Sequence, residues 1–466
     1  MSDITTRDTK NDSIIPEAEK HRDDMRAVVI VPVLKQARGR ASKPDGTVTT
    51  TRTPESRLEE GRGLAHAIDL EVMYGAIVPV NEPRPGTLLG SGKIEEIGAL
   101  LDEFNAGLVI VDHPLTPVQQ RNLEKEWGAK VIDRTGLILE IFGRRASTKE
   151  GTLQVDLAHL NYQKGRLVRS WTHLERQRGG AGFMGGPGET QIEADRRQLQ
   201  DRIIKLEKEL EQVVRTRQLH RAKRRKVPHP IVALVGYTNA GKSTLFNRIT
   251  GAGVLAEDML FATLDPTLRR MKLPQGRTVI MSDTVGFISD LPTHLVAAFR
   301  ATLEEVLEAD LILHVRDMAD EDNAAQSVDV MRILADLGID EAEGEKRIIE
   351  VWNKIDRLEP EAHDAMMQKA STAKNVIAVS AITGEGVDTL MDEISGRLSG
   401  VLVEATITLP LDKLALLPWL YSHGIVDGRE DHEDGTVSLD VRLSEAETAE
   451  LERRMGNGQK AQNADW

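Results

Sequence analysis

Apolar runs alternate with amphipathic stretches along residues 26–146, and this pattern predicts strands alternating with helices. The runs that predict strands lie at 27–33, 76–80, 107–113 and 130–134. The stretches that predict helices lie at 55–70, 93–104 and 115–128. Such an alternation is typical of a small parallel α/β domain, which we expect over residues 26–150. Residues 1–25 are polar and charged, and they are expected to form a disordered tail.

A different pattern follows in residues 151–229. Apolar positions recur at heptad spacing in its second half, at Ile192, Leu199, Ile203, Leu206, Leu210 and Val213. Steps of four and three residues form the seam of a coiled coil, and the helical pattern of 151–177 supplies a partner. Residues 179–188 contain six glycines and one proline, so they predict a loop between the two helices. We therefore expect a helical hairpin, which we call the arm.

The alternation of strands and helices resumes over residues 230–398 and predicts a second α/β domain. Its strands are expected at 231–236, 271–283, 311–317, 347–352 and 375–380. Residues 399–466 predict a small α+β domain, because two alternating strand patterns, 405–411 and 436–443, surround a helical pattern. The predicted fold class is a multidomain α/β protein with a coiled-coil-like arm.

The 466 residues include no cysteine, which excludes disulfides, thiolate metal sites and cysteine nucleophiles. No apolar run approaches the ~20 residues of a membrane span and no signal peptide is evident, so we expect a cytoplasmic protein without a membrane span. The net charge of −14 by itself argues against nucleic-acid binding. Residues 161–230, however, hold 17 Lys and Arg against 8 Asp and Glu. The arm is therefore either a solvated helix surface or a surface that faces a polyanion.

Residues 236–243 read GYTNAGKS and fit the pattern G-x-x-x-x-G-K-[ST] in full. A predicted strand precedes them and a helical stretch follows, which is the context that a phosphate-binding loop requires. Backbone N–H groups would surround phosphate oxygens, Lys242 would supply a positive charge, and the Ser243 hydroxyl would bind Mg²⁺. A second stretch, GTLLGSGK at 86–93, has one residue too many between its glycines and no hydroxyl after its lysine. It predicts only a glycine turn before a helix.

Further motifs lie at predicted strand ends, in the order that a GTPase domain requires. In DTVG, 283–286, Asp283 would hold Mg²⁺ through water and the Gly286 N–H would contact the γ-phosphate. In NKID, 353–356, the Asp356 carboxylate can accept hydrogen bonds from N1–H and N2–H₂ of guanine, a donor pair that adenine lacks. Residues 380–382, SAI, would offer a backbone N–H to guanine O6.

The stretch FATLDPT, 261–267, fits a switch loop whose threonine completes the Mg²⁺ shell, with Thr263 as the candidate, Thr267 as the alternative and a plain surface turn as the other interpretation. The catalytic residues are expected to be Lys242, Thr263 and Gly286, and the metal ligands Ser243 and Thr263, with Asp283 acting through water. The residues expected to bind the nucleotide are Gly236, Tyr237, Thr238, Asn239, Ala240, Gly241, Lys242, Ser243, Phe261, Ala262, Thr263, Leu264, Asp265, Asp283, Thr284, Val285, Gly286, Asn353, Lys354, Ile355, Asp356, Ser380, Ala381 and Ile382.

Phe287 follows DTVG, where many such proteins keep a polar residue that orients the attacking water. A phenylalanine side chain makes no hydrogen bond, so intrinsic hydrolysis is expected to be slow. Asn239 suggests one remedy, because an asparagine at this loop position ligates K⁺ in some GTPases with a hydrophobic residue after DxxG. The other interpretation is an asparagine that only stabilises the loop.

These motifs resemble those of HflX-type GTPases, and the resemblance covers about residues 26–440. In the G domain it rests on GYTNAGKSTLFN, LFATLDPT, DTVGFISDLP followed by HLVAAFRATLEEV, and NKID. Outside that domain it rests on LERQRGGAGFMGGPGETQIEADRR, VDLAHLNY and GSGKIEEI, which other GTPases lack. The resemblance implies a GTPase that binds the large ribosomal subunit and splits or rescues stalled ribosomes, notably under stress.

The arm is compatible with such a partner. Arg166, Arg169, Arg176, Arg178, Arg196 and Arg197 would meet RNA phosphates. Tyr162, Trp171 and His173 would either stack on bases or pack within the hairpin. RAKRRK, 221–226, is either an RNA contact or a solubilising helix end. We expect a monomer that binds GTP and GDP. The alternatives are an assembly factor of the Era or Obg kind and a regulatory GTPase that does not bind ribosomes.

Overall fold

The computed structural model describes residues 22–34, 52–177, 187–224, 229–253, 260–261, 263–264, 266–274, 276–289, 300–339, 344, 346–399 and 402–455. It has the expected fold class, in which α/β domains are joined by a helical arm and followed by a small α+β domain. None of the helices in the described ranges combines the length and the apolar character needed to span a membrane.

The N-terminal domain is built on a four-stranded, all-parallel sheet of order β2-β1-β3-β4. Its strands are β1 Asp23–Leu34, β2 Glu71–Val80, β3 Ala106–Val111 and β4 Lys130–Asp133. Its helices are α1 Pro54–His66, α2 Ser91–Glu103, α3 Pro117–Trp127 and α4 Arg134–Arg145. The predicted parallel domain is confirmed, and local signals explain its boundaries. Helix α3, for example, begins with a capping box between Thr116 and Gln119 and ends at Gly128 in the left-handed conformation.

Helix α4 has no counterpart in the predicted pattern. Its residues from Arg134 to Leu139 are all buried, and so are Ile141 and Phe142. The helix is covered on one side by its own sheet and on the other by the second α/β domain, whose residues belong to the same hydrophobic core. The exposed residues Glu140, Gly143 and Arg144 all lie in the second half of the helix, so its first half has no exposed polar face that would mark it as a helix in the sequence.

The arm consists of α5 Lys149–Gln177 and α6 Pro187–Arg224, which pack against each other. The predicted seam is confirmed where side chains are described. Ile203 is buried, and Leu199, Leu206, Leu210 and Val213 are half-buried. The polar residues around them are mostly exposed, as a two-helix seam requires. The side chains of Ile192, Arg169, Trp171, His173 and Arg176 lie outside the described part, as do Arg178 and residues 225–228.

The second α/β domain, the G domain, has a six-stranded sheet of order β10-β9-β8-β5-β7-β6. Its strands are β5 Ile231–Gly236, β6 Thr267–Lys272, β7 Thr278–Asp283, β8 Leu311–Asp317, β9 Ile348–Asn353 and β10 Val376–Ala378. Its helices are α7 Lys242–Thr250, α8 Arg300–Leu307, α9 Asn323–Asp336, α10 Pro360–Thr372 and α11 Val387–Ser399. The prediction of one strand over 271–283 is wrong. The stretch turns at Gly276, whose φ of +91° a glycine adopts without strain, and the strands on either side, β6 and β7, pair antiparallel.

The C-terminal domain has a three-stranded antiparallel sheet of order β11-β13-β12. Its strands are β11 Leu402–Leu409, β12 Ile425–Asp431 and β13 Val437–Ser444, and its helices are α12 Leu417–His423 and α13 Glu445–Met455. The α+β architecture is confirmed, but β12 and α13 were not predicted. Strand β12 is rich in charged and exposed residues, because it lies at a sheet edge and buries little of its surface.

Candidate nucleotide site

The loop GYTNAGKS runs from the end of β5 into the first turn of α7. Gly236 and Gly241 are required by close approaches of the backbone. A Cβ on Gly236 would lie 2.2 Å from the Val315 carbonyl oxygen, and one on Gly241 would lie 2.2 Å from Nδ2 of Asn353. Both glycines also have positive φ, at +153° and +89°. The chain therefore folds here into a tight turn that leads into a helix N-terminus, the geometry that binds phosphate.

Lys242 begins α7 and is buried. Its ammonium donates to the backbone carbonyls of Tyr237, at 2.8 Å, and Gly236, at 3.2 Å. Burial lowers the pKa of Lys242 to about 8; the Asp283 carboxylate opposes this shift and nearby Lys354 adds to it. Since a polyanion beside the ammonium would favour its charged form, bound phosphates would raise this pKa again.

Three oxygen-bearing side chains meet beside the loop. The Ser243 and Thr263 hydroxyls donate to Oδ2 of Asp283, at 2.7 and 2.9 Å, and they lie 2.9 Å from each other. Oδ1 of Asp283 is buried and has no hydrogen-bond partner in the described part of the chain. Burial raises the pKa of Asp283, against the opposing effect of Ser243, Lys242 and Thr263. This donor set of hard oxygens with one unused carboxylate atom fits Mg²⁺.

The structure places Thr263, rather than the alternative Thr267, at the Asp283 carboxylate. Thr267 is the first residue of β6 and pairs with Asp283 through the backbone. Phe261, two residues before Thr263, has a φ of +58° and packs edge-to-face on Phe142 of α4, with 4.8 Å between ring centroids. Leu264 is buried in the same core. Of the candidate residues in this loop, Ala262 and Asp265 lie outside the described residues.

The NKID and SAI segments form a second corner of the site at the ends of β9 and β10. Asn353 connects the corner to the phosphate-binding loop: its amide donates to the Ala240 carbonyl at 2.8 Å and accepts from the Ala381 N–H at 3.0 Å. The Ser380 hydroxyl donates to Asp356 at 2.6 Å, which orients the exposed carboxylate. Lys354, with a φ of +65°, pairs with Asp317 at 2.7 Å.

Arg248 supports the same corner and was not among the predicted residues. It lies in α7 and donates to the carbonyl oxygens of Ile382 and Thr383, at 2.8 and 2.6 Å. Ile382 itself is 60% exposed, so its backbone rather than its side chain is held in place. An arginine on an amphipathic helix carries no sequence signal for such a contact, because its partners are backbone atoms 134 and 135 residues away.

Phe287 lies directly after DTVG, and its side chain is buried in the core that the G domain shares with α1 and α4. Its backbone is bound on both sides to the phosphate-binding loop. The Phe287 N–H donates to the Gly236 carbonyl at 3.0 Å, and the Thr238 N–H donates to the Phe287 carbonyl at 2.7 Å. The phenylalanine thus connects the loop after β7 to the N-terminal domain.

A buried polar network, which the sequence did not predict, crosses the same interface. Its centre is Glu60 of α1, which accepts from Arg52 at 2.6 Å and also from Arg134 and the Tyr237 hydroxyl. Ser289 joins it: its hydroxyl donates to Glu60 at 3.1 Å and its N–H donates to the Tyr237 hydroxyl at 2.7 Å. The phosphate-binding loop and the loop after β7 are therefore both bonded to the N-terminal domain.

Each charge of this network is paired with an opposite charge. Burial alone would raise the pKa of Glu60, but the guanidinium groups of Arg134 and Arg52 outweigh burial and lower it to about 2. Arg134 is further paired with Asp112 at 2.5 Å, and Arg57 holds the other oxygen of Asp112 at 2.9 Å. Each buried charge thus has an opposite charge within hydrogen-bond distance, as its burial requires.

The base of the arm is attached to the N-terminal domain by Tyr162 and Arg166. The Tyr162 hydroxyl donates to Asp133 at 2.7 Å, and Arg166 lies 3.3 Å from the same carboxylate with its guanidinium over the Tyr162 ring. The prediction that Arg166 meets RNA phosphates is therefore not supported here, and packing rather than base stacking describes Tyr162. Both side chains hold the arm in place because Asp133 is buried and accepts from both.

The glycine stretch at 86–93 forms the predicted turn. Gly90 is the N-cap of α2, which begins at Ser91, two residues earlier than predicted. The Gly86 carbonyl accepts from the side chain of Asn122 at 2.9 Å. This stretch lies in the N-terminal domain, and none of the hydrogen bonds that it makes among the described residues is with a candidate nucleotide residue.

The loops that contain GYTNAGKS, DTVG and NKID thus converge at the carboxyl ends of the central strands of one sheet. This combination of fold and site defines the class of the protein, which is a GTPase of the P-loop class. Family models match consecutive parts of the chain. They are described as GTP-binding GTPase N-terminal (55–143), GTP-binding GTPase middle region (145–224), 50S ribosome-binding GTPase (231–354) and HflX C-terminal domain (365–466).

Comparison with individual proteins specifies the family. GTPase HflX of Magnetococcus marinus is 48% identical over 395 residues, which are 85% of this chain and 90% of the relative. GTPase HflX of Escherichia coli is 44% identical over 83% of this chain and 89% of its own length. The chain belongs to the HflX family of GTPases. A GTP-binding protein of Sulfolobus solfataricus, solved with GDP, is 24% identical over 80% of this chain and 98% of its own, with a TM-score of 0.42.

Proposed function

We propose that this GTPase binds the large ribosomal subunit through its arm, acts on stalled or idle ribosomes to split or rescue them, and uses GTP hydrolysis to control its association. The observation that carries the proposal is a bridge between the arm and the G domain. Arg217 of α6 pairs with Glu150 at 3.0 Å and also with Glu304 of α8. Helix α8 begins at Arg300, 14 residues after Gly286 of DTVG, so a change at the γ-phosphate would reach the arm through this bridge.

The charge of the arm supports an RNA partner. The chain as a whole is acidic, with a net charge of −14, yet 17 Lys and Arg residues lie in 161–230. Arg196 and Arg197 are exposed on α6, where they can reach phosphates. Such contacts release counterions and supply a large part of the affinity for RNA. One of the matching family models is described as a 50S ribosome-binding GTPase, and this description supports the large subunit as the proposed partner.

The site supports hydrolysis as follows. The loop 236–243 would hold the phosphates, and Ser243, Thr263 and Asp283 would hold Mg²⁺, which neutralises charge on the β- and γ-phosphates when bound. Lys242 would turn from its backbone carbonyls to the phosphates, and the Gly286 N–H would contact the γ-phosphate. Release of phosphate would free Gly286 and Thr263. The Phe287 backbone would transmit that change to the N-terminal domain, and the Arg217 bridge would transmit it to the arm.

Ribosome association is expected to depend on the nucleotide. In pelleting assays with separated subunits, the protein should bind the large subunit about tenfold more tightly with a non-hydrolysable GTP analogue than with GDP, a typical coupling between two sites. Replacing both exposed arginines, Arg196→Glu/Arg197→Glu, should weaken binding and reduce the dependence of log K on log salt by ~1 for each lost phosphate contact.

A matched control separates arm contacts from net charge. Arg332 and Arg453 lie in α9 and α13, with side chains 65% and 74% exposed, and Arg332→Glu/Arg453→Glu changes the net charge equally. This variant should bind as the wild type does. The proposal would be contradicted if the protein bound the large subunit equally well with GDP and with the analogue. It would also be contradicted if both double variants lost the same affinity for the large subunit. Binding to precursor subunits but not to mature ones would favour an assembly factor, and binding to neither would favour a regulatory GTPase.

Potassium provides a separate test of Asn239, whose φ of +60° places it in the left-handed region within the phosphate-binding loop. If its side chain ligates K⁺ near the phosphates, turnover should be at least severalfold faster in KCl than in NaCl of equal ionic strength. The Asn239→Ala variant should lose that difference. Identical turnover in the two salts would leave Asn239 with a role in loop stability alone.

A further inference from the structure

Hydrolysis of GTP needs a polar group that orients the attacking water, and Phe287 does not provide one. Its side chain is only 3% exposed and belongs to the core shared with the N-terminal domain. Both of its backbone polar atoms are bonded to the phosphate-binding loop. The orienting group must therefore come from another residue near the γ-phosphate or from a partner.

Most hydroxyls around the site already have a hydrogen-bond acceptor. Ser243 and Thr263 donate to Asp283. The Thr284 hydroxyl donates to the Leu234 carbonyl at 2.6 Å. The Tyr237 and Ser289 hydroxyls both donate to Glu60 at the domain interface. These groups have structural duties, and none of them is available to hold a water molecule without losing its partner.

The Thr238 hydroxyl is different. The residue is only 6% exposed, and its Oγ1 is buried without a hydrogen-bond partner in the described part of the chain. Buried hydroxyls without partners are rare, because burial removes their bonds to water. Ser282 also carries such a hydroxyl, but it precedes Asp283 in β7 and therefore points to the opposite face of the sheet.

Two observations place Thr238 beside Gly286 and Lys242, the residues expected to contact the γ-phosphate. A Cβ built on Gly286 would lie 2.9 Å from Cγ2 of Thr238 and 3.1 Å from Nζ of Lys242, so these groups surround one point next to the glycine. The Thr238 N–H is bonded to the Phe287 carbonyl at 2.7 Å, which keeps the side chain next to the DTVG loop. The methyl of Thr238 now faces this point, and a rotation of about 120° around χ1 would bring the hydroxyl to the position that the methyl occupies.

We propose that the hydroxyl of Thr238 orients the attacking water in GTP hydrolysis, the duty that Phe287 does not perform. The hydroxyl accepts a hydrogen bond from the water and donates one to a γ-phosphate oxygen. The water oxygen forms a bond to the γ-phosphorus while the bond from that phosphorus to the β–γ bridging oxygen breaks, and the electron pair of the broken bond stays on GDP. One proton of the water stays on its oxygen, and the other passes to another oxygen of the released phosphate. The Thr238 hydroxyl has the same proton before and after the reaction. The products are GDP and inorganic phosphate.

The test compares isosteric variants in the isolated protein, without ribosomes. Thr238→Val removes the hydroxyl and keeps the shape, and Thr238→Ser keeps the hydroxyl and removes the methyl. For Thr238→Val we expect single-turnover hydrolysis to fall about 10- to 100-fold, the usual effect of one hydrogen bond made in the transition state. Its affinity for GDP and for a GTP analogue should stay within about twofold, and its GDP–aluminium fluoride complex should weaken by the same factor as the rate. Thr238→Ser should retain most of the rate.

Thr250→Val is the control, because it removes a hydroxyl whose partner, the Phe246 carbonyl, belongs to α7 and not to the site. The proposal is overturned if Thr238→Val hydrolyses GTP at the wild-type rate, if both Thr238 variants lose activity equally, or if affinity for GDP falls in parallel with the rate. The inference rests on the proposed nucleotide site, and the two fail differently. If the nucleotide site itself were wrong, the wild-type protein would not bind GTP. If Thr238→Val bound GDP and the GTP analogue as the wild type does and also hydrolysed GTP at the wild-type rate, only the role of Thr238 would be removed.

Discussion

Replacing Asp356 with asparagine is expected to weaken GTP binding by about 100- to 10,000-fold. The carboxylate would accept two charge-assisted hydrogen bonds from guanine N1–H and N2–H₂, each contributing about 1.5–3 kcal/mol. An asparagine has one acceptor and one donor group, and its donor would face the guanine amino group. Xanthine carries a carbonyl at that position, so Asp356→Asn should prefer xanthosine nucleotides. Titration of fluorescent guanosine and xanthosine diphosphates with the wild type and the variant measures the change in base preference.

The fold should survive this change, because the amide oxygen introduced by Asp356→Asn can still accept the hydrogen bond that Ser380 donates to the carboxylate at 2.6 Å in the wild type. Glu361→Gln is the control: it removes one exposed carboxylate nearby, on α10, and should leave both affinities unchanged. A variant that binds guanosine nucleotides as tightly as the wild type would show that Asp356 does not select the base. If the variant lost affinity for guanosine and xanthosine nucleotides equally, the carboxylate would only support the loop.

Removal of the Glu60 side chain is expected to lower the free energy of unfolding strongly. Glu60→Ala would leave Arg52 and Arg134 beside an empty position, with side chains only 9% and 6% exposed. Breaking a buried ion pair by removing one partner usually destabilises a protein by about 3–5 kcal/mol. Hydrogen exchange of α1 and α4 should show the loss as a fall in protection of about 10²- to 10³-fold, since these helices form the interface with the G domain.

The pH dependence of this effect has a definite sign. The pKa of Glu60 is lowered from 4.5 to about 2 in the folded protein, so its contribution is complete above about pH 4.5 and is lost as the pH falls towards 2. Wild type and Glu60→Ala should therefore converge in stability on acidification. Glu59→Ala is the matched control, because the neighbouring side chain is 69% exposed and pairs with Arg62 on the surface. If Glu60→Ala changed stability no more than Glu59→Ala does, the proposed interface would be contradicted.

The motifs of the candidate nucleotide site could be found in the sequence because each of them is a short contiguous stretch. Short motifs at strand ends determine their own local geometry, and parallel strands bring their carboxyl ends to one edge of the sheet. The arm was predictable for a similar reason, since a heptad seam depends on residues three and four apart. Helix α4 was missed because its first half, residues 134–139, is buried throughout and shows no exposed polar face. Strand β12 was missed because exposure at a sheet edge removes the alternation of apolar and polar residues that identifies a strand.

The sequence by itself determined which chemistry this protein carries. GYTNAGKS, DTVG and NKID predict the groups that bind phosphate, metal and guanine, and Phe287 indicates that the polar residue often found after DxxG is missing. The tertiary structure alone decided how those groups connect to the rest of the molecule. Tyr237 meets Glu60 across 177 residues, and Arg217 joins the arm to α8. Such contacts depend on which surfaces the domains bury against each other, and buried charges find partners only after that packing is formed.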